Sequence, residues 1–115
     1  MDSILTSIKK MLGLEEDQTC FDQDIIININ SVIMVLSQLG IGPTEGFVIT
    51  GSTEKWTDLL GERKDLESVK TYIYMKVRLL FDPPTSSFVI ESINKMITEF
   101  EWRLNIQVEG GLIDE

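Results

Sequence analysis

The 115-residue sequence has no histidine, one cysteine, three prolines and only ten basic residues. Without histidine there is no Ser-His or Cys-His nucleophile pair, and the imidazole ligands on which nearly every zinc site draws are missing. Cys20 cannot close an intramolecular disulfide and has no histidine to activate it. It is therefore expected to be a partly buried small apolar residue in a protein of a reducing compartment. Ten Lys and Arg against 19 Asp and Glu leave a net charge of −9. That balance disfavours tight binding of nucleic-acid phosphates but suits an acidic wall past which DNA slides. No glycine-rich stretch makes a phosphate loop: Gly40-Ile41-Gly42-Pro43 lacks the Gly-Lys-Ser/Thr that should follow, and Pro43 lacks an amide to donate. Long apolar runs are also missing. The stretch Ile25 to Leu39 is broken by Asn28, Asn30, Ser31, Ser37 and Gln38, too polar and too short to span a bilayer. At the amino terminus Asp2 precedes the apolar residues and Lys9-Lys10 follow them, the wrong order for a secretory signal. No membrane partner is expected.

What is present is ordinary globular material, 43% hydrophobic and 25% charged. The length fits one domain that buries roughly two-thirds of its unfolded surface. Ile4, Leu5, Ile8, Met11 and Leu12 share a helical side from which Lys9 and Lys10 are expected to turn away, and Gly13 ends the helix. Lysines followed by Glu15-Glu16-Asp17 attract anionic lipid poorly, so this helix is expected to dock on its own domain or on a neighbour. A second helix is predicted over Asp22 to Leu39, capped by Asp22, with Ile25, Ile29, Val32, Leu36 and Leu39 inward and Ile26 and Ile33 widening the stripe. The alternation Ile27-Asn28-Ile29-Asn30 also suits a strand, but the helical period fits more of the segment. Gly40 to Gly51 is too rich in breakers for regular structure and is predicted to be a loop, with Phe47-Val48-Ile49 packed as an extended piece. One or two helical turns follow from Thr53 to Leu60, with Trp56, Leu59 and Leu60 on one face.

Asp65 is predicted to cap the next helix, which carries Leu66, Val69, Ile73, Val77 and Leu80 inward and Tyr72 and Leu79 at its margin. Asp82-Pro83-Pro84 stops it. A last helix of about 19 residues, roughly 28 Å, is expected to turn Val89, Ile93, Met96, Ile97, Phe100 and Leu104 inward. The short connection makes these two helices an antiparallel hairpin. The predicted class is thus all-α: a small helical bundle built on that hairpin, with an amino-terminal helix and linker (1–21), a helical body (22–104) and a flexible acidic tail (105–115).

Carboxylates are the remaining candidates for chemistry. Glu15-Glu16-Asp17 and the pair Asp22/Asp24 lack the alternating oxygens and turn glycine of a calcium loop, and read as solvated linker and helix cap. Glu99 with Arg103 and Glu91 with Lys95 are surface pairs four residues apart. No catalytic residue, cofactor site or metal site is expected. Arg63, Lys64, Lys70, Lys76 and Arg78 concentrate half the basic residues around one helix. They form either a solvated face or a contact with an acidic neighbouring subunit. Trp102, between Glu101 and Arg103, is either core edge or interface anchor.

The ordered strings Trp56 to Gly61 (Trp-x-Asp-Leu-Leu-Gly), Asp82-Pro83-Pro84 and Glu101-Trp102-Arg103-Leu104-Asn105 resemble the head-to-tail connector (adaptor, head-completion) proteins of long-tailed double-stranded-DNA phages and prophages. The likeness covers about Asp22 to Glu109. It implies an α-helical structural subunit in the virion neck, made in the host cytoplasm. Its implied partners are copies of itself in a ring, a portal protein, and a downstream connector or stopper, with DNA passing through unbound. The residues expected at a partner interface are Trp56, Arg63, Lys64, Lys70, Lys76, Arg78, Glu101, Trp102, Arg103 and Asn105. The resemblance supplies no catalytic residue. A helical adaptor that grips one partner helix in a groove, unrelated to virion assembly, is the alternative reading.

Overall fold

The computed structural model describes residues 3–43, 45–61 and 66–113, with the side chains of 66 and of 105–113 left aside. Five helices follow one another: α1 (Ile4–Met11), α2 (Asp22–Gln38), α3 (Trp56–Leu60), α4 (Leu66–Phe81) and α5 (Ser87–Ile113). Among the described residues there is no strand, only an isolated antiparallel bridge between Ser3 and Lys55. The all-α class and the hairpin of the last two helices are as the sequence predicts.

Local chemistry sets the ends of the helices. The Ser3 hydroxyl accepts from the Thr6 amide at 3.1 Å and caps α1. At the other end Gly13, with φ +83°, lets its own amide reach the Lys10 carbonyl while Leu14 reaches that of Lys9. This paired closure needs a left-handed residue. Gly40, at φ +90°, closes α2 in the same way through Ser37 and Leu36. The cap of α2 is Phe21 rather than Asp22, which begins the helix itself. α3 starts later than the expected Thr53, because the preceding residues are committed elsewhere. Glu54 gives its carbonyl to the Ile4 amide at 3.0 Å, and its carboxylate takes the Thr50 amide at 3.0 Å. The predicted cap Asp65 lies outside the described residues. Asp82-Pro83-Pro84 ends α4, whereas α5 continues to Ile113 through Gly110-Gly111. Each glycine costs a helix about 1 kcal/mol, and the Gly pair is not accompanied by a proline that would end the ladder.

One core unites α1, α2, α3 and α4, and α5 reaches it with Ile97 and Leu104. α4 lies centrally, packed against α1, α2 and α5. Ile25, Ile29, Val32 and Leu36 of α2 face Val69, Ile73 and Val77 of α4, all buried as their spacing predicts. α1 docks on its own domain: Ile4, Leu5 and Ile8 are buried, and Trp56 Nε1 donates to Ser7 Oγ at 2.9 Å, tying α3 to α1 through two buried polar groups. A side chain of α2 pins the loop that follows it. Asn30 accepts from the Ile49 amide at 2.7 Å and donates to the Ile49 carbonyl at 3.0 Å, giving that residue the pair of bonds a neighbouring strand would supply.

Four expectations are corrected. Lys9 does not turn away: its ammonium is buried, 2.9 Å from Asp22 Oδ1, and donates to the Glu16 carbonyl at 2.9 Å. Cys20 is exposed, not partly buried. Tyr72 is fully buried rather than marginal, since α5 covers it. Leu80, Val89 and Met96 are exposed. α5 is seated chiefly on α4, so only a narrow side of it is covered, and Leu80 borders open grooves beside α2.

Candidate assembly surface

The hairpin of α4 and α5 leans against α2 so as to leave a groove of about 510 Å³ between the three helices. Val32 and Val35 of α2, Leu79 and Leu80 of α4, and Ile97 of α5 give it an apolar floor. Lys76 and Glu101 stand at its wall. Glu101 Oε2 accepts from the Tyr72 hydroxyl at 2.6 Å and lies 3.5 Å from Lys76 Nζ, while that ammonium sits 5.6 Å from the Tyr72 ring centre. Burial first, and then the bond to the Glu101 carboxylate, hold the Tyr72 hydroxyl well above the ordinary phenol range. The cluster joins α4 to α5 and offers no nucleophile or free base. Among the described residues no group of acids, cysteines or histidines could hold a metal ion, and no helix is long and apolar enough to cross a membrane.

Lys70, Lys76 and Arg78, the described cations of the predicted basic stripe, each engage a group of their own chain. Lys70 is half-buried, 5.7 Å from the Trp56 ring centre and 3.9 Å from Glu67. Lys76 belongs to the groove, and Arg78 Nη1 donates to the Tyr74 hydroxyl at 2.9 Å. Arg63 and Lys64 lie outside the described residues, as does the side chain of Asn105. Trp56 is buried inside the chain itself, where it braces α1 and α3. Trp102 is 64% exposed and so is not a core-edge residue, and Arg103 beside it pairs with Glu99. Of the ten candidates, the fold therefore brings together Lys76 with Glu101, and Lys70 with Trp56.

What sequence reasoning passed over is an apolar surface. Ile27 and Met34 of α2 and Val48 of the loop are each about as exposed as Leu80, close to 60%. A second groove of about 500 Å³ runs between Ile27, Met34 and Val48, and a third, of about 440 Å³, between Ile27, Leu80 and Phe81. Ile27 and Met34 are seven residues apart on α2, the one signal in the sequence that the helix has a second apolar line. The first two grooves are mainly apolar and the third mainly polar, and apolar surface of this kind suits contact with another macromolecule.

The described residues thus combine a helical body with an uncovered apolar surface. No curated protein and no solved structure matches the chain. The model of the phage connector protein family matches residues 4–111, from the first turn of α1 to the end of α5, and the chain belongs to that family.

Proposed function

We propose that the protein is the repeating subunit of a ring-shaped head-tail connector that docks on the portal of a long-tailed phage, completes the DNA-filled head and receives the next connector or stopper protein. Its place is then the virion neck, and its partners are the portal protein, the downstream neck protein and its own copies. Membership of the phage connector family carries the reading. The form of the molecule supports it: a helical hairpin with apolar grooves on the outside. A ring uses modest contacts because closure multiplies them. The net charge of −9 suits a channel wall from which the phosphates of passing DNA are repelled. On this reading residues 105–115 gain fixed partners only in the assembly.

The test is electron-microscopic imaging of the purified protein with and without a portal. A ring seated coaxially on the portal is the expected result. A one-to-one complex, or no binding to portal at all, refutes the proposal.

A further inference from the structure

The apolar surfaces left open by the fold lie on opposite flanks of α5. The groove takes Asn94, Ile97, Thr98 and Glu101 from that helix. Met96 stands two residues from both Asn94 and Thr98, about 160° round the helix from each. Val89 lies seven residues before Met96 and Arg103 seven after, so the three form a line along the outer flank with steps of about 10.5 Å. Val89 and Met96 are 40% and 46% exposed, and Arg103 is exposed and pairs with the exposed Glu99. α2 carries a second apolar pair at the same step, followed by an acid after three residues where α5 has its cation after seven. Met34 and Ile27 of α2 are also seven residues apart, and beyond Ile27 the exposed Asp24 borders the groove beside Leu80 and Phe81.

One flank thus offers apolar, apolar, cation; the other offers apolar, apolar, anion, with the same step between the apolar pair. Two complementary surfaces at different places on one molecule can each be engaged by a different neighbour. They join copies head to tail, the arrangement that closes into rings. Resting on the ring-subunit reading above, we infer that the α5 ridge of one copy seats antiparallel in the α2–α4 groove of the next. Met96 lies against Ile27 and Leu80, Val89 lies against Met34, and Arg103 reaches toward Asp24. The occupant is a second copy of this chain because both halves of the match, the step between the apolar pairs and the opposite charges beyond them, are carried by the chain itself.

Cysteine cross-linking of the full chain tests the contact. In a Cys20→Ser background, Ile27→Cys and Met96→Cys alter exposed positions, and far-ultraviolet circular dichroism checks that they fold. The double variant, oxidised, should give a ladder of covalent multimers. The two single variants mixed in equal amounts should give a dimer and nothing larger, and neither alone should cross-link. Wild-type rings with no ladder, or dimers from one single variant alone, overturn the contact while leaving the ring intact. A ladder from a protein that never forms a ring on the portal leaves the contact standing and removes the ring. As a second readout, Arg103→Asp should weaken association about tenfold, and adding Asp24→Arg should restore it. No recovery in the pair refutes the proposed register.

Discussion

Lys9 and Asp22 form one ion pair, but the two partners should not be equally costly to remove. The Lys9 side chain is 3% exposed and that of Asp22 is 24% exposed, with 2.9 Å between Nζ and Oδ1. In Asp22→Ala the ammonium stays where α1 and the Glu16 carbonyl hold it, buried with one acceptor and no counter-charge. Removing one partner of a buried pair costs about 3–5 kcal/mol, and the partial exposure of Asp22 lowers the expected value to about 2–3 kcal/mol. Lys9→Met leaves an unbranched apolar chain along the path of the lysine stem and strands the buried Asp22 Oδ1, but the rest of that side chain is partly exposed, so water can still solvate the carboxylate. A smaller loss, about 1 kcal/mol, is therefore expected. Urea unfolding followed by circular dichroism should therefore show the midpoint of Asp22→Ala well below that of Lys9→Met, with similar slopes. If Lys9→Met loses as much as Asp22→Ala, the ammonium is not the group whose desolvation sets the cost, and the reasoning fails.

Asn30→Ala strips the Ile49 amide and carbonyl of their partner; a loss of about 1–3 kcal/mol is expected, and hydrogen exchange of the Ile49 amide should speed up more than that of α4 amides. Glu54 is pushed up by burial, but bonds from the Thr50 hydroxyl and the Thr50 and Gly51 amides outweigh this and leave its carboxyl below the ordinary glutamate range. Its folded value being the lower one, the contribution is whole above the unfolded value of about 4.3 and fades as pH falls through the folded value. Denaturant midpoints measured from pH 6 to pH 2 should accordingly fall less steeply in Glu54→Gln than in the wild type. Gly13→Ala meets no atom within 4 Å, so its cost is purely the left-handed backbone, about 1–2 kcal/mol, measurable as a lower melting temperature. A neutral outcome there would mean that the α1 terminus rebuilds its closure without a left-handed residue.

The buried lines of α2 and α4 could be read from spacing alone, because a stripe at steps of three and four has only one side on which to be covered. The turns at Gly13, Gly40 and Asp82-Pro83-Pro84 were equally legible, since left-handed closure and the missing proline amide act within a few residues. Spacing does not say whether a neighbour arrives to cover an apolar residue. Leu80, Val89 and Met96 carry the right period, yet α5 covers too little of α4 and is itself covered on too narrow a side to bury them. The hold of Asn30 on Ile49 was invisible for a related reason: the partners are 19 residues apart, and nothing local to Asn30 marks it. Lys9 followed the same pattern, its burial being decided by where α2 begins.

The acid excess and the apolar grooves belong to one physical argument about assembly. Copies that each carry −9 repel when brought side by side, so their contact cannot rest on many like-charged surface pairs. It needs apolar area, which is indifferent to charge, and a few opposite charges to fix the register. The surface of this chain is divided in that way: Ile27, Met34, Leu80, Val89 and Met96 are exposed, while Lys70, Lys76 and Arg78 each already engage a group of their own chain. In the proposed ring Arg103, set at the end of the apolar line of α5, would choose the orientation of a neighbour, and the acidity left over would face the DNA.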